Sequence, residues 1–237
     1  MNLRKYKYSL FFAASLFMFT ACEDDENTAN VSEITYYPVF ELEAGSVIAV
    51  EEGTSFTDPG VTVTEEGQPI EFQTSGSVDT STPGFYTLTY SATNKDGFTA
   101  TESRTVVVIE PGFPELDLEG TYTSNTPAFS GQSLGQEMEV EKLADGVYQA
   151  TDTYAHPNVE VPIKFYITPE GYGVMENLPT SPFGLPYGGL VYFDLQPGDE
   201  FERTNGDVIE APREADILFA VDLSAANFWT DKTWLKD

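Results

Sequence analysis

One short run in this 237-residue sequence has the residue types and spacing of a catalytic nucleophile. Gly131-Gln132-Ser133-Leu134-Gly135 fits the G-x-S-x-G pattern, in which a turn between a strand and a helix presents the serine. Here the run lies in a stretch rich in Ser, Gly and Pro, without that context. His156 is the only histidine and therefore the only imidazole base available to Ser133. We therefore predict no catalytic residues and no enzymatic activity.

The sequence contains no clear signal for a metal site or for a pair of catalytic carboxylates. A zinc site needs several imidazole or thiolate ligands, and the chain has one His and one Cys. The sequence has no D-x-[DN]-x-[DN]-G loop with its distal Glu, which is the usual calcium-binding pattern. Binding of an incidental calcium ion at the acidic surface stays an open alternative. Glycosidases use two carboxylates at a defined separation, and 39 Asp and Glu residues would allow almost any pair. We predict no metal site and no cofactor.

Aromatic side chains in turn-rich segments are the better lead to a binding site. Sugar rings stack their C–H faces on flat aromatic rings, and loops that display Trp and Tyr are common binding surfaces. Trp229 and Trp234 are the only tryptophans, and Tyr187 lies among Pro and Gly residues. We hypothesise that these three residues contact a ligand. The competing interpretation places both tryptophans against a β core, since most tryptophan is largely buried.

The amino terminus has the order of a secretory signal. Basic residues (Arg4, Lys5 and Lys7) precede an apolar run over 10–19, which is shorter than the ~20 residues that span a bilayer. The following Thr20-Ala21-Cys22 resembles a bacterial lipobox, in which the thiol is acylated and the chain is cut just before it. We predict a lipoprotein signal peptide at 1–21 and lipidation at Cys22. The alternative is a plain secretory cleavage site with an incidental cysteine.

The residues after Cys22 are acidic. Glu23-Asp24-Asp25-Glu26 resembles the export signal that sends Bacteroides-type lipoproteins to the outer face of the outer membrane. The alternatives are a solvated tether or an anchor that faces the periplasm. We predict an acidic flexible tether at 22–32 and a lipid-anchored protein at the outer membrane, facing the cell exterior.

Charge and composition exclude other classes of protein. The formal net charge is -28, and a chain cleaved before Cys22 keeps 8 of the 11 Lys and Arg residues, all 39 Asp and Glu residues, and a charge of -31. Such a charge repels phosphate backbones, so we predict no nucleic-acid partner. Hydrophobic residues make up 41% and aromatic residues 14%, which is enough for packed cores.

Period-two alternation between turn residues predicts an all-β chain. The clearest strand is 85–92, in which Tyr86, Leu88, Tyr90 and Ala92 share one face that should point into a core. Residues 94–97 predict a hairpin turn after it, with Gly97 able to adopt a positive φ. We assign residues 33–111 to a first domain.

This first domain resembles the bacterial immunoglobulin-like modules of surface proteins. The resemblance depends on three parts of the sequence, which are Phe56–Val61, Val78–Thr80 with Pro83–Tyr90, and Asp96-Gly97 with Arg104–Val108. It implies a two-sheet sandwich with an antiparallel core, acting as a spacer or binding domain.

The second domain is assigned to 112–237, after the break at Glu110–Pro114. Asp145-Gly146 between alternating segments predicts a hairpin, and Pro162 predicts a strand edge or start. Gly120-Thr121-Tyr122 and Ala144–Tyr148, after an immunoglobulin-like module on a lipidated chain, resemble uncharacterised two-domain Bacteroides-type lipoproteins that are often encoded beside glycan-uptake systems. The resemblance implies a second antiparallel β domain, either a sandwich or a small barrel.

The expected function follows from location and resemblance. We expect a non-catalytic surface lipoprotein that binds extracellular glycan as an accessory of an outer-membrane transport complex. The alternative is a structural or protein-interaction subunit of such a complex with no glycan site.

Overall fold

The computed structural model describes residues 34–126, 135–156, 158–182, 184–223 and 228–237. Within these ranges the chain forms seventeen β-strands and no α-helix, which confirms the all-β prediction. Among the same residues, no helix is long and apolar enough to cross a membrane.

The amino-terminal part is a sandwich of two sheets. Its strands are β1 Val39–Leu42, β2 Val47–Glu51, β3 Val61–Glu65, β4 Gln68–Pro69, β5 Phe72–Ser75, β6 Gly84–Thr93 and β7 Thr99–Ile109. One sheet has the order β1-β3-β4, and the other has the order β2-β7-β6-β5. The predicted sandwich is therefore confirmed.

Strand β6 supplies much of the sandwich core. Leu88, Tyr90 and Ala92 are buried and pack against Val63 of the facing sheet, while Tyr86 is half-buried at the edge of the same cluster. The β6–β7 hairpin turns where predicted, with the amide of Gly97 donating to the carbonyl of Asn94 at 3.0 Å and φ of +88° at the glycine. Alternation along one strand was enough to predict which face is buried.

The sandwich departs from an antiparallel core at one edge. Strand β2 pairs with β7 in parallel, from Val47 beside Thr105 to Glu51 beside Ile109. The chain changes sheets at residues 43–46, where Ala44 and Gly45 adopt positive φ angles of 61° and 85°. This short crossover places β2 on the second sheet, and no periodicity in the sequence encodes its direction.

The carboxy-terminal part closes into an eight-stranded antiparallel barrel. Its strands are β8 Gly120–Ser124, β9 Glu137–Ala144, β10 Val147–Ala150, β11 Ile163–Ile167, β12 Gly173–Met175, β13 Gly188–Leu195, β16 Ala215–Leu223 and β17 Phe228–Lys236. Their order around the barrel is β10-β11-β12-β13-β16-β17-β8-β9. Of the two predicted alternatives, the structure is a small barrel.

Side chains of β16 show how the barrel buries both of its faces. Phe219 and Val221 point into the barrel core, whereas Leu218 and Ala220 are buried on the outside. The outside is covered by a hairpin of β14 (Glu200–Glu202) and β15 (Val208–Glu210). At the neighbouring Gly189 (φ +142°) a Cβ would lie 2.1 Å from the carbonyl oxygen of Ala220, so this close approach requires glycine.

An apolar cluster joins the sandwich to the barrel. Val107 and Ile109 of β7 and Val147 and Tyr166 of the barrel are all buried in it. The rings of Phe85 and Tyr166 lie 5.5 Å apart at their centroids. Because these side chains exclude water together, the sandwich contacts the barrel directly through packed side chains.

Candidate functional site

The barrel carries long connections at one end. In an antiparallel barrel every second connection lies at the same end, so the β10–β11 and β12–β13 connections are neighbours. The β9–β10 turn at Asp145-Gly146 lies at the other end, where Gly146 has φ of +68°, as predicted for a tight hairpin. Long loops on a rigid scaffold are where binding residues concentrate.

A cleft of about 420 Å³ opens on the outer wall of the barrel beside these two long connections. Its floor is formed by consecutive strands, because Gln149 of β10 lies opposite Lys164 of β11. Glu176 comes next, just after β12, and its amide donates to the carbonyl of Lys164 at 2.7 Å. Pro162, Leu178 and Pro182 form its apolar walls.

Local sequence explains why these side chains face outward. In β11 Ile163, Phe165 and Ile167 point into the barrel core, so Lys164 between them must point out. Pro162 precedes the first residue of the strand, which confirms the predicted strand start.

The wall at Leu178 is held by a bridge across the β12–β13 connection. The amide of Leu178 donates to the carbonyl of Tyr187 at 2.8 Å, and the amide of Tyr187 donates back at 2.9 Å. The backbone of Tyr187 therefore positions one side of the cleft.

The floor of the cleft carries adjacent opposite charges. The Nζ of Lys164 lies 3.2 Å from Oε2 of Glu176, and the two side chains are 25% and 22% exposed. A hydrogen-bond donor and an acceptor thus converge between apolar walls, which is the usual make-up of a site for a small polar molecule.

A second concavity, of about 390 Å³, lies around the β10–β11 connection and includes Asp152 and His156. The buried carboxylate of Asp152 accepts hydrogen bonds from the amides of Tyr154 (2.9 Å), Ala155 (3.1 Å) and Val161 (3.1 Å). Burial raises the pKa of Asp152, and these three hydrogen bonds oppose that rise. Asp152 therefore shapes its own loop.

His156 is also engaged within this loop, since its Nδ1 accepts the amide of Asn158 at 3.2 Å. Among the described residues no group of three or more His, Cys, Asp or Glu side chains could hold a metal ion.

A lysine lies inside the barrel near this loop. Lys232 of β17 pairs in register with the core residue Phe219, and its Nζ lies 4.6 Å above the ring of Tyr154. Burial lowers the pKa of Lys232, while the nearby carboxylate of Asp152 opposes that change. The ring and the carboxylate together help to accommodate a cation in the barrel interior.

Two of the three predicted ligand contacts are core residues. The side chains of Trp234 and Tyr187 are both 0% exposed. The hydroxyl of Tyr187 lies 2.7 Å from Oγ1 of Thr153, and burial raises the pKa of Tyr187. This corrects the hypothesis that these two rings contact a ligand, because neither ring has a face for a sugar.

Three further residues singled out in the sequence are Trp229, Cys22 and Ser133. Trp229 lies in β17, in register with Asp222, at the end of the barrel where β17 begins. Cys22 and Ser133 lie outside the described residues, so lipidation at Cys22 stays a prediction.

Sequence reasoning missed the floor of the cleft. Gln149, Lys164 and Glu176 come from separate segments with no motif spacing, and only the barrel register brings them together. The one available signal was the alternation of β11, which marks Lys164 as the outward charge in an otherwise apolar strand.

The sandwich matches a known family. Residues 40–108 match the model of the family described as "Bacterial surface protein, Ig-like domain". The sandwich is therefore an Ig-like domain that is similar to this family. The resemblance expected from the sequence is thereby confirmed for this part of the chain. No curated protein matches the chain at a significant level.

Three solved structures are similar to most of the chain. The lipoprotein BT2262 from Bacteroides thetaiotaomicron is 22% identical, with 85% of this chain and 100% of that chain covered and a TM-score of 0.39. The structure of the M60 catalytic domain of Clostridium perfringens ZmpB with its CBM51-1 and CBM51-2 domains is 19% identical. The match covers 86% of this chain and 23% of that chain, with a TM-score of 0.33. The structure of CBM51-2 in complex with GlcNAc and INT domains, also from Clostridium perfringens ZmpB, is 17% identical. The match covers 84% of this chain and 47% of that chain, with a TM-score of 0.27.

Proposed function

We propose that this protein is a non-catalytic lipoprotein at the bacterial outer surface whose barrel cleft binds extracellular glycan. The observation that carries the glycan proposal is the cleft itself, where Lys164 and Glu176 lie side by side between Pro162, Leu178 and Pro182. Sugar hydroxyls both donate and accept hydrogen bonds, and sugar C–H faces contact apolar walls. The cleft supplies partners for both properties.

The anchor in this proposal is the thiol of Cys22. The lipobox-like residues before it and the bacterial surface Ig-like domain after it both support a tethered surface protein. Several acyl chains on one residue would hold the protein firmly, because each buried methylene contributes ~0.8 kcal/mol. The Ig-like domain then lies between the anchor and the barrel in the sequence, and the barrel presents glycan to an outer-membrane uptake complex.

Substitution of the anchor residue should release the protein from the membrane. In cells fed a palmitate analogue we expect the wild-type chain to be labelled and membrane-bound, and the Cys22→Ala variant to be unlabelled and soluble. The Ser32→Ala variant, changed further along the tether, serves as the control and should behave as wild type. Label on the Cys22→Ala variant would contradict lipidation at this thiol, and resistance to protease in intact cells would contradict the outward orientation.

Glycan binding is tested by affinity electrophoresis through gels containing dextran, galactomannan, glucomannan or xyloglucan. We expect at least one polymer to retard the protein, and we expect Lys164→Met to lose most of that retardation. The control is Lys142→Met, which removes the same charge from the exposed Lys142–Asp145 pair (2.8 Å) near the β9–β10 turn. Equal retardation of the two variants would place binding elsewhere.

An exposed aromatic pair on the Ig-like domain favours the second candidate function, a protein-interaction subunit. Tyr37 and Phe98 are 58% and 50% exposed, and their ring centroids lie 5.7 Å apart. Exposed apolar surface of this kind often marks a protein contact. Absence of retardation by every polysaccharide, together with a partner that co-purifies with wild type and is lost from a Tyr37→Ser/Phe98→Ser variant, would favour this role.

A further inference from the structure

We propose that the cleft recognises a vicinal diol on a neutral pyranose, with Glu176 accepting from one hydroxyl and Lys164 donating to the next; this inference rests on the proposed glycan function. It assigns a chemical class of ligand to the cleft and a separate role to each of the two charged residues.

The spacing of the two charged groups matches that of a diol. A carboxylate only accepts hydrogen bonds, and an ammonium group only donates them. The Nζ of Lys164 and Oε2 of Glu176 are 3.2 Å apart. Two gauche hydroxyls on neighbouring ring carbons also hold their oxygens within hydrogen-bond distance of each other. One hydroxyl can therefore donate to the carboxylate while its neighbour accepts from the ammonium. A single hydroxyl that served both groups would form bent hydrogen bonds, because its two partners are only 3.2 Å apart.

The pair keeps hydrogen-bonding capacity for such a ligand. An ammonium group has three N–H donors, and a carboxylate has about four lone-pair sites, so the contact between Lys164 and Glu176 uses only part of each. Hydrogen bonds to charged groups are roughly twice as strong as those between neutral groups.

Shielding distinguishes this ion pair from the exposed pairs of the protein. The side chains of Lys164 and Glu176 are 25% and 22% exposed, against 34% and 87% for Lys142 and Asp145. Pro162 and the other walls of the cleft reduce contact with water on one side. A less hydrated pair forms stronger hydrogen bonds to a ligand, so the cleft is better suited to binding than an exposed surface pair.

Charge decides the class of glycan. Most basic side chains among the described residues lie in ion pairs with carboxylates, among them Lys95, Arg104, Lys142, Lys164, Arg203 and Lys236. A sulfated or uronic polymer would have to displace Glu176 from Lys164 and approach a strongly acidic chain. Both requirements disfavour polyanions, so the cleft is suited to neutral sugars.

The experiment uses the full mature protein and whichever neutral polysaccharide retards it in the gel panel. That polymer is compared with two derivatives of itself, one cleaved at its vicinal diols by periodate and then reduced with borohydride, and one sulfated. We expect binding to weaken about tenfold or more on diol cleavage and on sulfation. Glu176→Gln and Lys164→Met should each weaken binding of the native polymer about tenfold, whereas Lys142→Met should leave it unchanged. Circular dichroism and the unfolding midpoint check that the variants fold.

The outcomes separate this inference from the proposed function. Undiminished binding of the diol-cleaved polymer would overturn diol recognition and leave glycan binding standing. Tighter binding of the sulfated polymer would overturn only the assignment of the cleft to neutral sugars. Variants of Lys164 and Glu176 that bind like wild type would show that the two residues form only a structural ion pair. Absence of binding to every native polysaccharide would overturn the proposed function together with this inference.

Discussion

Replacing Arg104 by methionine is expected to lower the free energy of unfolding of the Ig-like domain by about 3–5 kcal/mol. The Arg104 side chain is fully buried. Its Nε donates to the carbonyl of Gly45 at 3.1 Å, and its Nη2 donates to the carbonyls of Gly60 (3.0 Å) and Glu43. Its Nη1 donates to the carboxylate of Asp58. The substitution leaves one carboxylate and three carbonyls without this donor, and such losses are costly in a low-dielectric interior.

The measurement is urea unfolding followed by circular dichroism, with Lys95→Met as the matched control. Lys95 pairs with Glu66 at 3.1 Å on the surface, with 56% and 44% of the two side chains exposed, so screening by water should make its loss nearly neutral for stability. Arg104→Lys keeps the charge but not the planar fork of donors, and it should fall between the two. Equal midpoints for Arg104→Met and Lys95→Met would contradict the proposed importance of this buried arginine.

Replacing Trp234 by alanine is expected to cost the barrel about 3–5 kcal/mol of stability, because it opens a large cavity in a close-packed core. The side chain is fully buried in the barrel cluster, and it lies in register with Ile217 on one side and Ser124 on the other. Its Nε1 has no hydrogen-bond partner among the described residues. Trp234→Phe removes that buried N–H and fills most of the space, so it should cost much less than Trp234→Ala.

Stability and binding together distinguish a core tryptophan from a ligand contact. We expect the Trp234→Phe variant to have a modestly lower unfolding midpoint in urea. The polysaccharide in the gel should still retard this variant as it retards the wild-type protein. Loss of retardation at unchanged stability would restore Trp234 as a ligand contact and would contradict its burial.

Local chemistry explains which elements could be predicted from the sequence. The turns at residues 94–97 and at Asp145-Gly146 were predictable, because Gly97 and Gly146 supply the positive φ that each turn requires. The buried face of β6 followed from strict alternation through Tyr90. Both signals are contained within a few consecutive residues.

Local sequence patterns could not predict that the second domain closes into a barrel. Strand β17 meets β8 through pairs such as Trp234 with Ser124, which are more than a hundred residues apart in the chain. A strand that closes a barrel has the same period-two pattern as one at the edge of a sandwich, so the sequence left both architectures open. The parallel pairing of β2 with β7 was missed for the same reason.

Burial of Trp234 against a β core was one of two interpretations of the sequence, and a mixed pattern in β17 left both of them open. In β17 the inward position of Trp234 is followed back along the strand by Lys232, a charge that also lies inside the barrel. A lysine on the face of a tryptophan suggests an exposed surface when read from sequence. The contact of Lys232 with the ring of Tyr154, which makes its burial tolerable, joins residues that are remote in the chain.

One strand connects the Ig-like domain to the cleft. On the outer face of β11, Tyr166 packs into the apolar cluster with Val107, and Lys164, two residues earlier, forms the cleft floor. Because the two residues share a rigid strand, the cleft is held at a fixed distance from the interface with the Ig-like domain. The contact with the Ig-like domain and the candidate binding site therefore lie on the same strand of the barrel.

Binding of glycan on the floor of the barrel cleft can be tested residue by residue with amide chemical shifts of isotope-labelled protein. An oligosaccharide cut from the polymer that retards the protein is titrated into the mature chain. We expect the amide signals of Gln149, Lys164 and Glu176 to shift most and those of the Ig-like domain to stay unmoved. Shifts confined to the Ig-like domain, or spread evenly over the surface, would contradict it.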